Sequence, residues 1–590
     1  MFRTPTDSKQ PLLGATPDFA FHNQLRQEQA ARKRKQKQWD WGFGAVFLIW
    51  LVLYVSSLHD TTAPTELQTY PGESISWSTC GTIANRDVEC STIYVPLDQF
   101  NASNNPDGKN FSIPLIRLRG KNATRSILLN PGGPGGSGSN FLYRRGADLH
   151  TIIGEDFHLL SFDPRSINQS RPLANCYPTP ETRRNLSPVR DKRILEDSGE
   201  LFAWSANYVR ACADTMGEHG KYINTPQTAA DMNSILDAIG QEDMYYWGFS
   251  YGTLLGQTYA TLFPERSRRV IIDGVANVFD WYESPLDREE MTDTDNVFHG
   301  FVDECIKAGP DKCALAGLAD SKEQLFEKLV TSIGKLRDEP LSVYVNNTVY
   351  GVLDYWAVWN DGIFPALYKP ANWYTLAANL ASLLQGNATD AFLAYGQERR
   401  WESNHDSTQF VMLNDGASGI KFFPKDRLAL VDELVSYFNQ SMFSETELGL
   451  YFSKQAWSIA KTHTFVPRKR VKTAHPLLML STTYDPVCPL VSARSANDAF
   501  VDSRIVEVKA YGHCSLAVPS MCIARHVRDF LYEGKLPDEN TQCEIDGEPY
   551  FVKPDEGGKA VSLAVFDDPE ERRIHLAQVR LARDLWLRPW

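Results

Sequence analysis

Residues 248–252, with the sequence GFSYG, constrain the fold more than any other part of this 590-residue chain. They follow a strand-like run at 243–249 and open a helix-like run at 251–263, and a strand-like run follows at 268–275. Glycines on both sides of a serine let a strand turn abruptly into a helix, so that the serine side chain stands exposed above a sheet. The β-α-β order predicts an α/β fold with right-handed crossovers. Ser250 is then a candidate nucleophile, the alternative being an ordinary serine in a glycine-rich turn.

Short apolar runs elsewhere predict further buried strands of a mostly parallel sheet with helices on both faces. These runs lie at 126–130, 157–163, 477–485 and 504–509, and a helical pattern ending in glycine lies at 225–240. A long middle segment instead has mostly helical periodicity and carries Trp281, Trp356, Trp359, Trp373, Trp401 and Trp457. We therefore predict three parts: a first core part at 77–276, a large, mainly helical lid insertion at 277–470, and a second core part at 471–545.

A glycine-rich segment, NPGGPGGSG at 130–138, directly follows the strand predicted at 126–130. Nucleophilic attack on a carbonyl creates an oxyanion, which backbone N–H groups must stabilise, and glycines allow the main chain to approach closely. We expect these donors from Tyr251 and from Gly132 or Gly133. The alternative is a phosphate-binding loop, but the segment lacks both the G-K-[ST] ending of a P-loop and the G-x-G-x-x-G spacing of a dinucleotide site.

A serine hydroxyl needs a base to activate it, and the base needs a carboxylate to orient it. In folds of this kind the chain order is serine, then acid, then histidine. His513 lies in a loop after the strand predicted at 504–509, and Asp485 directly follows the strand predicted at 477–484. We predict Asp485 as the acid and His513 as the base; Asp498 and Asp502 are the competing acids.

Six motifs occur in one order along the chain: LLNPGGPGGSG, FDPR at 162–165, TAADMNSILDAIG, YYWGFSYGTLLG, DPVCP and GHCS. Together they resemble the secreted tripeptidyl-aminopeptidase and prolyl-aminopeptidase branch of the α/β hydrolases, over about residues 77–545. The resemblance implies an α/β-hydrolase fold and serine hydrolysis of peptides from their N-terminus, with no cofactor and no metal. The chain departs from the family pattern at residues 166–168 (Ser-Ile-Asn), where a glycine-containing turn is usual, and at Cys488, where threonine is common.

Two activities remain open at this point, because the predicted lid aligns poorly with the family. An aminopeptidase must bind a free α-amine, and the acidic start of the lid offers Glu283, Glu289 and Glu290 as candidates, unless this stretch is only a solvated acidic face. The alternative is an esterase or amidase for a small apolar metabolite, with the lid tryptophans lining an apolar pocket. A non-catalytic adhesion or receptor domain would be expected to lack one of the three predicted catalytic residues, and all three are present.

All ten cysteines lie at position 80 or later, an even number that fits disulfides in an oxidising compartment. If Asp485 meets His513, then Cys488 and Cys514 come close enough to pair, so we predict a disulfide that joins the two loops; two buried free thiols are the alternative. By proximity we expect the further pairs Cys80–Cys90, Cys176–Cys212, Cys305–Cys313 and Cys522–Cys543. The last of these resembles a pairing expected of the family.

The N-terminal segment predicts a membrane anchor. Residues 1–40 are polar, with eight Lys/Arg against four Asp/Glu, and residues 41–58 contain no charge, which is long enough to span a bilayer. The positive-inside rule places the tail in the cytosol. After a stalk at 59–76, the catalytic part would lie outside the cell or in the lumen of a secretory or vacuolar compartment. A cleaved signal peptide is the alternative.

Two further features fit this topology. The predicted glycosylation sites all follow the uncharged run: Asn101, Asn110, Asn122, Asn168, Asn346, Asn387 and Asn439. The net charge of −13 argues against a nucleic-acid partner, because phosphate binding requires a basic surface. The predicted partners are therefore the membrane and a peptide or a small ester or amide. Residues 546–590 contain an amphipathic helix, predicted to begin after Asp568 and to pack on the body.

Overall fold

The computed structural model describes residues 67–584, apart from 106, 188–192, 398–405, 447–449 and 555–564. The predicted cytosolic tail and anchor, and the stalk up to residue 66, lie outside these residues, as do Trp401 and the last six residues of the chain. Within the described part, none of the helices has the length and apolar character needed to cross a bilayer. The anchor at 41–58 thus stays a prediction.

The described residues contain one large sheet and a separate hairpin. The strands are β1 Gln68–Thr69, β2 Ser76–Ile83, β3 Arg86–Pro96, β4 Asn110–Leu118, β5 Arg125–Asn130, β6 Phe157–Phe162, β7 Met244–Phe249, β8 Ser267–Asp273, β9 Leu341–Asn346, β10 Val349–Leu353, β11 Leu478–Tyr484, β12 Arg504–Tyr511 and β13 Thr541–Cys543. The sheet has the order β1-β2-β3-β4-β6-β5-β7-β8-β11-β12-β13, and β9 pairs with β10.

The sheet divides into an antiparallel and a parallel part. Strands β1 to β4 pair antiparallel, and β4 runs antiparallel to β6. From β6 to β13 every pair is parallel, with Leu128 opposite Tyr246 and Trp247 opposite Ile271. Every residue of β6 and β7 is buried, as expected for strands covered on both faces. The mostly parallel sheet is confirmed, whereas the antiparallel beginning has no counterpart in the sequence prediction.

Helices surround the sheet and fill a long segment between two of its strands. They are α1 Gly138–Ile153, α2 Pro180–Leu186, α3 Ser198–Gly220, α4 Thr225–Ala238, α5 Tyr251–Leu262, α6 Val278–Glu283, α7 Thr294–Ala308, α8 Lys322–Gly334, α9 Tyr355–Val358, α10 Phe364–Tyr368, α11 Trp373–Leu384, α12 Thr389–Ala391, α13 Ser407–Asp415, α14 Arg427–Phe438, α15 Tyr451–Ala456, α16 Leu490–Ala499, α17 Met521–Glu533 and α18 Pro569–Arg583. Two π-helical turns, Trp359–Ile363 and Phe392–Gly396, occur in the long segment.

Both faces of the sheet are covered. Ile127 and Leu129 belong to a buried cluster that includes residues of α1 and α17, whereas Leu128, between them, belongs to a second cluster with residues of α4 and α5. Successive residues of a strand point to opposite faces, so the two clusters are the cores above and below the sheet. Helices α6 to α15 and the hairpin β9–β10 lie between β8 and β11 in the chain and form a mainly helical insertion.

The C-terminal helix α18 packs on the body. Asp568 caps its first turn by accepting a hydrogen bond from the Glu570 N–H, as the sequence predicts. Gln578 Nε2 donates to the carbonyl oxygen of Ser520 at 2.7 Å, and Asp584 forms an ion pair with the buried Arg145 of α1. Its apolar face therefore lies against protein.

Candidate active site

Ser250, the predicted nucleophile, has φ +57° and ψ −127° at the junction of β7 and α5. This left-handed backbone is costly for a residue with a side chain, and the neighbouring glycines make the turn possible. A Cβ at Gly248 would lie 2.4 Å from the carbonyl oxygen of Gly252, and one at Gly252 would lie 2.8 Å from that of Asn130. The strand–turn–helix predicted from GFSYG is therefore formed, with Ser250 partly exposed.

Asp485 and His513, the predicted acid and base, are in direct contact. Both side chains are fully buried, and His513 Nδ1 lies 2.9 Å from each carboxylate oxygen of Asp485. The carboxylate also accepts hydrogen bonds from the N–H groups of Val487, Cys488 and Cys514 at 3.0, 2.8 and 2.9 Å. Among the competing acids, Asp498 lies in α16 and Asp502 in the turn before β12. The structure thus brings the predicted acid and base together.

The other ring nitrogen of the base is unoccupied. His513 Nε2 is buried and has no hydrogen-bond partner among the described residues, and no hydrogen bond joins it to Ser250 Oγ. Catalytic hydrogen bonds are often long in unliganded sites and shorten only with substrate. The unoccupied Nε2 can therefore receive a proton from a hydroxyl that moves into its reach.

The predicted disulfide between Cys488 and Cys514 is wrong, because both are buried free thiols. The loops do approach each other, but the Asp485 carboxylate lies between their main chains and accepts an N–H from each cysteine. The Cys514 thiol points instead to the carbonyl oxygen of Asp273, at 3.3 Å. The four other predicted pairs are formed: Cys80–Cys90, Cys176–Cys212, Cys305–Cys313 and Cys522–Cys543. Disulfides of this number are typical of an extracellular or otherwise oxidising compartment.

One predicted glycosylation site does not fit the structure. Asn168 Nδ2 donates hydrogen bonds to Ser137 Oγ at 3.0 Å and to Asp163 Oδ2 at 2.9 Å, so a glycan on this nitrogen would break the turn after β6. The remaining six predicted sites are exposed and stay predictions: Asn101, Asn110, Asn122, Asn346, Asn387 and Asn439. Ser166 and Asn168 both have positive φ, which explains why glycine is usual in this turn.

The predicted oxyanion donors differ in their availability. The Gly132 N–H donates to Asn130 Oδ1 at 3.0 Å and is therefore already engaged. The N–H groups of Gly133 and Tyr251 have no acceptor within the described ranges, and Tyr251 is the first residue of α5. Gly132 packs against the serine turn, because a Cβ there would lie 2.8 Å from Ser250 Cβ. Gly132 allows the glycine-rich loop to approach the serine turn closely, and Gly133 and Tyr251 remain the predicted donors.

Asp273, at the end of β8, links the loops of Ser250 and His513, and the sequence analysis missed it. Its carbonyl oxygen accepts the Ser250 N–H at 3.0 Å, and its carboxylate accepts both the N–H and the hydroxyl of Ser515 at 2.6 Å. Burial raises the pKa of Asp273 to about 6. The available signal was its place at the end of the strand next to β7, where parallel strands present functional groups.

The insertion also contacts the base. The His513 N–H donates to the carbonyl oxygen of Tyr368 at 2.9 Å, and the two rings pack edge to face at 5.1 Å. Lys369 is fully buried and donates from Nζ to the carbonyl oxygen of Leu516 at 2.8 Å. Burial lowers the pKa of Lys369 to about 8, partly offset by the neighbouring Cys514, Asp273 and Asp485. No sequence pattern indicated these contacts, since they join distant segments.

An acidic cluster lies at the start of the insertion, close to the acid loop. Burial, followed by a hydrogen bond to Asp280, raises the pKa of Asp287 well above its usual value. Burial also lowers the pKa of the nearby Lys454 to about 8, against the opposing charges of Asp287, Asp280 and Glu290. Asp287 and Glu290 both act electrostatically on the Cys488 thiol, three residues after Asp485.

Two of the three predicted amine ligands do not suit that role. Glu283 is exposed, so it is not the buried carboxylate that an amine site requires. Glu289 Oε2 is committed to Asn277 Nδ2 at 2.8 Å and to Ser492 Oγ at 2.9 Å. Glu290 is half-buried beside Asp287, and it is the predicted ligand that lies in the acidic cluster.

Comparison with known proteins assigns the family. The alpha/beta hydrolase fold family matches residues 125–302, and the family of TAP-like proteins matches residues 450–543. The tripeptidyl aminopeptidase of Streptomyces lividans is 31% identical over 489 residues, which cover 80% of this chain and 87% of that protein.

More distant relatives carry different names. The serine protease Hip1 of Mycobacterium tuberculosis is 24% identical over 496 residues, covering 80% of this chain and 91% of that protein. Carboxylesterase B of the same species is 24% identical over 498 residues, covering 79% and 89%. The two family matches include the serine turn at 248–252 and the loops of Asp485 and His513. This chain therefore belongs to the TAP-like branch of the α/β-hydrolase family, and it is a serine hydrolase.

Proposed function

We propose that the protein is a serine peptidase that removes residues or short peptides from the N-terminus of its substrates through an acyl-enzyme. Ser250 is the nucleophile, His513 the base and Asp485 the acid. This proposal rests on the buried Asp485–His513 pair. The Nε2 atom of His513 in that pair is unoccupied, next to the strained turn of Ser250. Such a pair can hold a neutral imidazole in the tautomer with its proton on Nδ1.

In the first half-reaction, Ser250 Oγ attacks the substrate carbonyl carbon while His513 Nε2 takes the hydroxyl proton. Asp485 keeps the Nδ1 proton in place and stabilises the imidazolium that forms. The N–H groups of Tyr251 and Gly133 stabilise the oxyanion. When the peptide bond breaks, His513 returns the proton to the leaving amine and the acyl group remains on Ser250.

In the second half-reaction, water attacks the acyl-enzyme and His513 again acts as the base. The tetrahedral intermediate collapses, the N-terminal fragment leaves with a new carboxylate, and the serine regains its proton from His513. Every step uses water and side chains or N–H groups of this chain, so no cofactor or metal is part of the proposal.

The acidic cluster supports the N-terminal specificity. Asp287 and Glu290 lie close to the acid loop, and Lys454, whose charge acts on both, also donates to the carbonyl oxygen of Pro285 at 2.9 Å. A substrate ammonium group would place a positive charge beside this half-buried pair of acids and favour their charged forms. We therefore assign the α-amine to Asp287 and Glu290 in place of Glu283 and Glu289.

An esterase or amidase is the second candidate, and it is supported by the similarity to carboxylesterase B. Its apolar pocket would have to come from other residues than the tryptophans of the insertion. Among the described ones, Trp356, Trp359, Trp373 and Trp457 are at most 6% exposed and pack within the core, and Trp281 Nε1 donates to Asp415. The tryptophans therefore favour the peptidase over this alternative.

The proposal includes the organisation of the chain. The insertion at about 277–470 acts as the lid over Ser250, between the core parts at 77–276 and 471–545. The uncharged run at 41–58 anchors the protein, with the basic tail in the cytosol and the catalytic part outside the cell or in a lumen. Protease added to intact vesicles should then remove residues 1–40 only, and protection of the tail would contradict this topology.

Hydrolysis of free and N-acetylated tripeptidyl reporters by full-length protein in detergent tests the function. Ser250→Ala should abolish hydrolysis and fluorophosphonate labelling. Asp287→Asn and Glu290→Gln should raise KM for the free peptide, because the ammonium favours the charged form of both carboxylates and each variant removes one of them. Neither variant should affect an acyl-ester reporter. Glu283→Gln, an exposed neighbour, is the matched control. Equal rates on free and blocked peptides would favour the esterase.

A further inference from the structure

Asp415, the last residue of α13, is joined by hydrogen bonds to the residue that follows the nucleophile. Its carboxylate is fully buried and accepts the Thr225 N–H at 2.7 Å and Trp281 Nε1 at 3.0 Å. The Thr225 hydroxyl bonds to the same carboxylate and to the phenol of Tyr251. The chain of contacts Asp415–Thr225–Tyr251 therefore fixes the Tyr251 side chain from the insertion.

Thr408, in the first turn of the same helix, contacts the other source of oxyanion donors. Its hydroxyl donates to the carbonyl oxygen of Pro134 at 2.7 Å. The loop lies so close that a Cβ on Gly135 would be 2.4 Å from Thr408 Oγ1. This hydrogen bond holds the Pro134–Gly135 peptide, one residue beyond Gly133.

The helix α13 is itself fixed to the body at both ends. Asn414 Nδ2 donates to the carbonyl oxygens of Gly220 and Ile223 at 2.8 and 2.9 Å, and its Oδ1 accepts Trp457 Nε1 at 3.0 Å. At the start of the helix, Asp406 pairs with Arg183 and accepts the Cys176 N–H. A helix fixed in this way can hold two separate loops at a constant spacing.

We infer that α13 sets the geometry of the oxyanion hole, with Thr408 and Asp415 as positioning residues for the N–H groups of Gly133 and Tyr251. This inference rests on the proposed function. The donors come from two loops that are far apart in the chain, and their stabilising effect depends on the position of both relative to the oxyanion. The nine-residue helix contacts both loops and therefore couples them.

A transition-state analogue separates positioning from binding. A tripeptidyl trifluoromethyl ketone reacts when Ser250 Oγ bonds to the carbonyl carbon, the hydroxyl proton passes to His513 and the carbonyl oxygen becomes the oxyanion. Thr408→Val removes the hydrogen bond at nearly constant volume, and Thr408→Ser keeps it. Tyr251→Phe removes the phenol contact at the other end of the helix.

Thr408→Val and Tyr251→Phe should lower kcat and ketone affinity by a similar factor, on the order of 10-fold, with KM changed less than about twofold. Thr408→Ser should resemble the wild type. The inference would be overturned if both variants bound the ketone as tightly as the wild type does. It would also be overturned if the loss of activity came only from a smaller number of titratable active sites, with turnover per site unchanged. Failure of the wild type itself to hydrolyse the reporters or react with a fluorophosphonate would instead overturn the proposed function.

Discussion

Two carboxylic acids stand at the ends of neighbouring parallel strands, and both are fully buried. Asp273 is the last residue of β8, and Asp485 directly follows β11. The first serves structure: its carboxylate accepts Ser515 twice and Trp247 Nε1 at 3.3 Å. The second faces the imidazole of His513 and accepts three main-chain N–H groups. Burial and strand position are the same, but the hydrogen-bond donors differ.

This difference shows what a strand-end carboxylate needs before it can serve a histidine. Three main-chain N–H groups orient the Asp485 carboxylate, so that it can hold an imidazole in place. For Asp273, desolvation outweighs its donors and raises its pKa to about 6. Its partners are a serine, a tryptophan and main-chain groups, which suits a residue that ties the Ser250 loop to the His513 loop.

The largest expected effect comes from neutralising the acid that faces the base. Asp485→Asn should lower kcat by on the order of 10⁴, because the amide no longer favours the Nδ1-protonated tautomer. Asp273→Asn should cost only about 10- to 100-fold, through small displacement of the two loops it joins. Turnover per active site, counted by fluorophosphonate titration, makes the comparison. A greater loss in Asp273→Asn would reverse the roles of the two acids.

The different predictability of the two acids has a physical reason. Asp485 was found from sequence because the order serine, acid, histidine and the position after a strand are local features. Asp273 also stands at the end of a strand, but its task depends on Ser515, some 240 residues later in the chain, and no local pattern indicates such a contact. The same holds for Tyr368 and Thr408, which reach the site from the insertion. The strands β5 to β8, β11 and β12 were predictable because buried parallel strands are short, continuous apolar runs.

The wrongly predicted Cys488–Cys514 disulfide shows that the approach of two loops is not enough to predict a bond between their cysteines. The argument that Cys488 and Cys514 must approach was correct, because both lie within reach of one carboxylate. Whether two sulfur atoms can bond depends on the direction of each side chain, and Cys514 has φ +64° with its thiol towards Asp273. The four pairs that do form are separated by 8 to 36 residues, so for them proximity along the chain was sufficient.

The next effect concerns the pH dependence of stability that Asp273 causes. The folded-state pKa of Asp273, about 6, lies above its ordinary value of 3.8, so the protonated form favours folding. This contribution, on the order of 2–3 kcal/mol, is present below about pH 4 and is lost as the pH rises through about 6. Asp273→Asn should remove this contribution, so that the free energy of unfolding falls less steeply between about pH 4 and pH 6. Urea unfolding at several pH values measures this slope, and an unchanged slope would contradict the buried, protonated Asp273.

A second buried acid, at the end of α13 in the insertion, provides a comparison for that experiment. Burial also raises the pKa of Asp415 to about 6, so Asp415→Asn should flatten the same pH range by a similar amount. If the two groups act independently, the double variant should remove both contributions, since distant sites are usually additive. A slope that persists in the double variant would have to come from other groups.

The smallest expected effect concerns Cys514, which contacts both acids. Its N–H donates to Asp485 and its thiol to the carbonyl oxygen of Asp273. Cys514→Ala keeps the first contact and removes only the second, a weak hydrogen bond, so kcat should fall by less than about 5-fold.

Burial raises the pKa of both thiols, Cys488 and Cys514, well above the usual value, so they are poor nucleophiles. Iodoacetamide should leave Cys488 and Cys514 unlabelled in native protein, and label both after unfolding without reductant. A linked 488–514 peptide in active protein would show instead that the loops are joined covalently, and Cys514→Ala would then lose far more activity than a single hydrogen bond explains.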